Sequence, residues 1–383
     1  MREQSKTDDR IHVQKSDDDT STILSLTNMN FLACGAFSNV YSGTAITETN
    51  QQLSIVIKKV WPSKKHSQQS NEIEILKMLG RLKHKNIVFL LYTYTKHHGD
   101  NICMGLIFES MPSNLQQFLR NQTRKIDIIE VKLITWQLFR GQAHIQRMDI
   151  CHRDIKPQNL LYNPETGLLK ITDFGSSLYQ PVDHPQRSYQ VTRYYRPPEL
   201  ILGAKRYGCE IDIWSCGCVF GELLKGRVFF AGHSSVHQAD VIFDAIGLPT
   251  SEEKKAMQVD KKVSETIINA YESDTSHSTD KFTYMYEQTE LQQERSQSRV
   301  KNDRISTADM KKATALLRRI LVYTPKLRMT GQKLLTHKFF SELFTGTPLR
   351  FNGRPIPCLT KKDLEKVNKG DVTLTNESKD TQE

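Results

Sequence analysis

The sequence changes character at Met111-Pro112, and that break constrains the fold more than any other feature. Before it, apolar runs are short and bounded by polar turns. Val40 to Thr44, Leu53 to Val60, Asn86 to Tyr94 and Ile102 to Glu109 read as strands. One stretch among them, Asn71 to Leu82, instead spaces Ile75, Leu79 and Leu82 as a helix does. After Pro112 helical periods dominate. Asp127 stands where an N-cap belongs, and Val131, Ile134, Leu138 and Ile145 mark one face of a long helix behind it. Residues 209–225 and 236–247 read as further helices. The expected fold class is α+β. A small, mostly β N-lobe with one key helix spans about 28–110, and a larger, mostly α C-lobe spans about 113–344.

Other segments look solvated. Residues 1–27 include Asp17-Asp18-Asp19 and few apolar side chains, and read as a flexible polar tail. Residues 251–311, rich in Ser, Thr, Gln, Glu and Lys, read as an insertion, and 345–383 as a C-terminal extension ending in a polar tail. The 38% apolar share, a little low for a globular chain, fits such segments. No apolar run approaches the length of about 18 residues that a membrane span needs. The first 20 residues lack the apolar core of a signal peptide, so a cytoplasmic location is expected, with the nucleus also open. The seven cysteines are odd in number and form no CxxC pair, which argues against a disulfide framework or a zinc site. The net charge of +10 admits polyanionic partners. The basic residues are scattered, however, and the densest patch is only Lys64-Lys65-His66, so no nucleic-acid partner is expected.

The chemistry concentrates in Cys151-His152-Arg153-Asp154-Ile155-Lys156-Pro157-Gln158-Asn159. Asp173-Phe174-Gly175 follows, Ile55-Val56-Ile57-Lys58 precedes it on an expected strand, and Pro197-Pro198-Glu199 comes after. Each piece alone is weak. Their joint order and spacing resemble the eukaryotic protein kinases. That resemblance implies a two-lobed kinase fold, ATP and Mg²⁺ as cofactors, and transfer of the γ-phosphate to Ser or Thr of protein substrates.

The implied roles attach to specific residues. Lys58 reaches the α- and β-phosphates, and a lysine on an apolar strand needs an anionic partner. Glu72 and Glu74 compete for that place; residues two apart do not share a helix face, and the pattern around Glu72 matches kinases better. Asp173 and Asn159 hold magnesium with hard oxygen ligands. Asp154 accepts the proton of the substrate hydroxyl, and Lys156, typical of Ser/Thr kinases, steadies the transferring phosphate. The phosphate-covering loop, written GxGxxGxV in the family, here runs Leu32, Ala33, Cys34, Gly35, Ala36, Phe37, Ser38, Asn39 and Val40, and keeps only the middle glycine. Glu109 and Met111 offer backbone hydrogen bonds to adenine. Glu199 pairs with Arg328, Asp212 ties down the catalytic loop, and Leu76, Leu90, His152 and Phe174 form a stack.

A closer resemblance follows. Ser188-Tyr189-Gln190-Val191-Thr192-Arg193-Tyr194-Tyr195-Arg196-Pro197-Pro198-Glu199-Leu200 is similar to the activation segment of the glycogen synthase kinase 3 (shaggy) family of the CMGC group. The likeness covers about 28–250 and 312–357. It implies that Tyr189 is autophosphorylated, with Arg193 and Arg196 receiving the phosphate, and that Thr192 contacts Asp154 and Lys156. That family favours substrates already phosphorylated C-terminal to the target serine, through a pocket of three basic residues. Their counterparts are Asn71, Arg153 and Leu178, so a weakened dependence on priming is expected. Residues 251–311 overlap the family's scaffold-binding region but diverge, leaving a scaffold partner there open. The altered phosphate loop keeps a second reading alive, a scaffold that retains the fold without turnover; Lys58, Glu72, Asp154, Asn159 and Asp173 favour catalysis.

Overall fold

The computed structural model describes residues 9–35, 38–61, 68–98, 101–122, 126–179, 185–186, 191–273 and 305–371. The chain divides into two compact units, with the boundary between Pro112 and Ser113.

The N-terminal unit is a barrel of six antiparallel strands. They are β1 (Asp9–Lys15), β2 (Ser21–Cys34), β3 (Ser38–Thr47), β4 (Gln52–Val60), β5 (Leu90–His98) and β6 (Asn101–Glu109), with α1 (Gln68–Leu82) between β4 and β5. Strand order around the barrel is β1-β2-β3-β4-β6-β5. The period-two rule sets which residues face inward. Ile11 and Val13 of β1, Leu24 and Leu26 of β2, and Ile55 and Ile57 of β4 are all buried in one core with Ala45, Tyr94 and Ile107. Tyr94 pairs across the sheet with Gly105. Its ring lies where a Cβ on residue 105 would sit, 2.0 Å away, so only glycine fits there.

Of the flexible tail expected over 1–27, residues 1–8 lie outside the described residues, and over 9–27 the expectation is overturned. From Asp9 onward these residues close the barrel: β1 pairs with β2 along its length and with β5 through Gln14 and Lys15. The strand expected over Asn86–Tyr94 begins later, at Leu90. Asn86, Ile87 and Val88 are buried in the preceding turn, where apolar content does not report strand geometry.

The C-terminal unit opens with β7 (Ser113–Asn114) and α2 (Leu115–Asn121) and is organised by two buried helices. Helix α3 (Ile128–Arg147) is capped by Asp127, whose side chain accepts from the Glu130 amide at 2.8 Å. Helix α5 (Glu210–Lys225) ends at Gly226 with φ of +73°, the left-handed turn that glycine permits. Short strands frame the loops between them: β8 (Ile150–Cys151), β9 (Leu160–Tyr162), β10 (Leu169–Ile171) and β11 (Leu178–Tyr179). The short helix α4 (Pro198–Ile201) precedes α5, and α6 (Ser235–Ile246) follows it.

The insertion expected over 251–311 is partly helical. It contains helices Ser251–Ala256 and Lys261–Ser273, and the helix Thr307–Ile320 starts inside it; 274–304 lie outside the described residues. The C-terminal extension is also more than a tail. Arg350 is fully buried and its guanidinium meets both carboxylate oxygens of Glu130, at 2.8 and 3.2 Å, together with the Tyr162 hydroxyl and the Glu165 and Pro164 carbonyls. Helix Lys361–Asn368 then packs Val367 inward and sets Asp363 against the buried Arg140 at 3.0 Å. The polar tail expected at the end, 372–383, lies outside the described residues. No helix among the described residues is long and apolar enough to cross a membrane.

Candidate active site

The loop from Ile150 to Asn159 is held at its root by one carboxylate. Asp212, in the first turn of α5, accepts from the backbone amides of His152 (2.6 Å) and Arg153 (2.9 Å). Burial pushes its carboxyl above the ordinary range, opposed by His152 and by those two amide bonds. Directly after these two amides the backbone turns, with Arg153 at a positive φ of +66°. The His152 ring then ties three segments together. Its Nδ1 accepts from the Asp154 amide (3.2 Å), so Nε2 carries the proton donated to the Thr172 carbonyl (3.0 Å). The ring also meets Phe174 edge-on, with centroids 4.9 Å apart.

That frame aims Asp154. Its Oδ1 accepts from the Thr192 hydroxyl at 2.6 Å. Its Oδ2 accepts from Lys156 Nζ at 2.7 Å and from Asn159 Nδ2 at 2.9 Å. Lys156 Nζ also reaches Thr192 Oγ1 at 3.2 Å. The Asn159 amide nitrogen further donates to the Asp154 carbonyl, which fixes which end of the amide is oxygen. Asp173 sits in the left-handed region, φ +63° and ψ +73°, immediately before the 3₁₀ turn Phe174–Ser176. Strained backbone of this kind persists where surrounding structure enforces it.

In the N-terminal unit Lys58 and Glu72 form an ion pair at 2.7 Å. Glu72 is buried, whereas Glu74 is exposed, so the choice between them falls to Glu72. The β2–β3 hairpin pairs Ala33 with Val40 and Cys34 with Asn39, and the Gly35 amide donates to the Ser38 carbonyl at 2.7 Å to close the turn. A Cβ on residue 35 would stand 3.0 Å from Ser38 Oγ, so a side chain there would press on Ser38. Leu32, Ala33 and Cys34 are exposed; Ala36 and Phe37 lie outside the described residues. Glu109 ends β6 and its carboxylate accepts from the Phe89 amide at 2.8 Å; Met111 is half-buried beyond it.

The arginines expected to receive a phosphate contact backbone carbonyls. Tyr189 lies outside the described residues. Arg196 is buried, and both its Nε and Nη2 donate to the Val191 carbonyl, at 2.9 and 2.7 Å. Arg193 donates Nη1 to the His233 carbonyl at 2.6 Å, and Arg153 donates Nε to the Ser176 carbonyl at 2.6 Å. These guanidiniums hold backbone oxygens in and beside the activation segment.

Comparison with known proteins agrees with this geometry. The protein kinase domain family matches residues 26–340. The chain is 35% identical over 325 residues to Protein kinase gsk3 of Schizosaccharomyces pombe, covering 84% of this chain and 75% of that protein. The chain belongs to the protein kinase family, as a glycogen synthase kinase 3-like member of the CMGC group. Its kinase domain implies ATP and a divalent metal ion, and it acts on protein substrates. The family match starts at residue 26, inside β2, so β1 lies outside it.

One support of the kinase C-lobe escaped the sequence reading. The Tyr195 hydroxyl donates to Glu222 Oε2 at 2.7 Å, and Ser215 Oγ donates to the Tyr195 carbonyl at 2.8 Å, anchoring the activation segment on α5. Burial raises the Tyr195 phenol, and the Glu222 charge raises it further. The available signal was Glu222 itself, an acid within an otherwise apolar helical run.

Proposed function

We propose that this chain is a serine/threonine protein kinase that transfers the γ-phosphate of ATP, in the presence of Mg²⁺, to protein hydroxyls, with weak dependence on primed substrates. The observation that carries it is the Asp154 carboxylate, oriented by Thr192, Lys156 and Asn159 together. A base steered by three donors can accept a proton only from a hydroxyl delivered along one direction. Lys156, bonded to both Asp154 and Thr192, is the cation at hand for the transferring phosphate.

The metal fits the donor set. The Asn159 NH₂ is spent on Asp154, leaving its carbonyl oxygen to act as ligand beside the Asp173 carboxylate, and both are hard oxygens suited to magnesium. When bound, the ion neutralises phosphate charge. Lys58, held by Glu72, supplies a fixed cation for phosphate oxygens. Asp212 and His152 keep the loop rigid, so Asp154 need not reorganise as the hydroxyl approaches.

The reading on priming rests on what replaces the basic pocket. Leu178 lies in β11, paired with Cys151, and carries no charge; Asn71 is neutral; the Arg153 guanidinium is buried against the Ser176 carbonyl. A phosphate arriving there loses the charge-assisted fork that makes such recognition strong.

The test is phosphate incorporation into paired Ser- and Thr-containing peptides, with and without a phosphoserine C-terminal to the target, using Asp154→Asn as control. Incorporation by the wild type alone supports the reading, and primed and unprimed peptides should differ in kcat/KM by less than roughly tenfold, equivalent to about 1.4 kcal/mol. A primed peptide favoured far beyond that would overturn the reading of Asn71 and Leu178. No incorporation above the control would overturn the catalytic one.

A further inference from the structure

From Lys311 to Lys338 the sequence contains eight Lys or Arg residues and no Asp or Glu, so one stretch carries most of the chain's net charge of +10. In the sequence these cations look dispersed, a few positions apart. The fold collects them. Helix Thr307–Ile320 buries Ala313, Leu316, Leu317 and Ile320 and turns Arg318 and Arg319 outward. The chain then doubles back through the 3₁₀ turn Pro325–Leu327 into helix Gly331–Leu335. Arg318, Arg319, Lys326 and Lys333 thereby surround one cavity of about 600 Å³.

Three further facts describe what such a cavity accepts. Its wall also holds Arg328, but that guanidinium is committed to Glu199, and the exposed Arg319 and Lys333 stand at the rim. Lys326 pairs with Glu210, which offsets one of the four rim charges and leaves the rim strongly positive. Leu327, between these cations, is 72% exposed, the most exposed large apolar side chain among the described residues. A cationic rim around a bare aliphatic side chain is complementary to an acidic segment with one apolar residue. No lining residue is aromatic, so the cavity offers no platform on which bases could stack.

We propose that this cavity is a docking site for an acidic peptide segment of a protein partner, which seats one apolar residue on Leu327 while flanking carboxylates meet Arg319 and Lys333. The site lies on the C-lobe and contains none of the residues assigned to phosphate transfer. Its occupancy therefore does not depend on the catalytic reading.

The experiment is fluorescence anisotropy with the full chain and a labelled peptide of four glutamates around a central leucine. Two control peptides replace the leucine by alanine or the glutamates by lysines. Binding of the first peptide should weaken by about tenfold or more in Arg319→Glu and in Lys333→Glu, as charge reversal at a complementary contact predicts. Leu327→Ala should weaken the leucine peptide and leave the alanine peptide unaffected. All three side chains are exposed, so phosphorylation of a short substrate without an acidic segment should be unchanged. Absence of binding, or equal binding by all variants, overturns the proposal. It is equally overturned if single-stranded RNA competes for the cavity and Leu327→Ala has no effect, because the surface is then a general polyanion patch.

Discussion

Asp154→Asn should lower kcat by roughly 10²–10⁴-fold, the range a positioned general base supplies, while leaving the thermal midpoint close to that of the wild type. The reason lies in the bonds around the carboxylate. Among the described residues, Oδ2 receives two donors, Lys156 and Asn159, whereas Oδ1 receives the Thr192 hydroxyl. An asparagine amide can keep its oxygen toward Lys156 and Asn159 and turn its NH₂ toward Thr192, whose hydroxyl can accept as well as donate. The loop keeps its bonds and its shape, but the group that accepts the substrate proton is gone. Single-turnover phosphate transfer, with ATP binding measured separately, checks this. Turnover as fast as wild type would remove Asp154 from the role of base. A large fall in ATP affinity would instead mean that the loop had moved.

The largest effect on stability is expected from Arg328→Ala. The Arg328 guanidinium and the Glu199 carboxylate form two parallel bonds of 2.7 Å, with side-chain exposures of 0% and 1%. Arg328 also donates to the carbonyls of Val322 and Glu210 and lies over the Trp214 ring. Removing it leaves a carboxylate buried without its cation, at a cost of roughly 3–5 kcal/mol. Urea denaturation measures this directly. Replacing both partners with apolar residues, Glu199→Leu with Arg328→Met, should cost less than the single change, because no unpaired charge remains. If Arg328→Ala unfolds at the wild-type urea concentration, the pair is not a support of the helical lobe.

The catalytic loop was legible because chemistry fixes both residue type and spacing. Asp154, Lys156 and Asn159 fall within one short loop and bond to one another, so the sequence and the site are nearly the same object. The Lys58–Glu72 pair was legible for a related reason: a lysine on an apolar strand needs an anion, and the helix offered two glutamates on different faces. β1 was hidden. Asp9–Lys15 alternates correctly but has only Ile11 and Val13 to bury, and its worth depends on pairing with β2 and β5. Helices Ser251–Ala256 and Lys261–Ser273 were masked by polar composition, since only a few residues such as Ile267 and Ile268 face inward. The turn of Arg196 onto the Val191 carbonyl was invisible too, because a sequence shows that two arginines are near a tyrosine but not which way they point.

The Arg350–Glu130 contact has a consequence for how the chain is made. The two residues are 220 positions apart. At roughly 5–20 residues per second on a ribosome, that separation is roughly 11–44 s of synthesis. Through that interval α3 has emerged, but the cation that meets Glu130 does not yet exist, and Asp363, which meets Arg140, arrives later still. A helix with a lone carboxylate and a lone guanidinium on faces destined for burial cannot be sealed into a core. The larger lobe must therefore close after most of it has been translated, with its central helix left open to whatever holds nascent chains in the meantime.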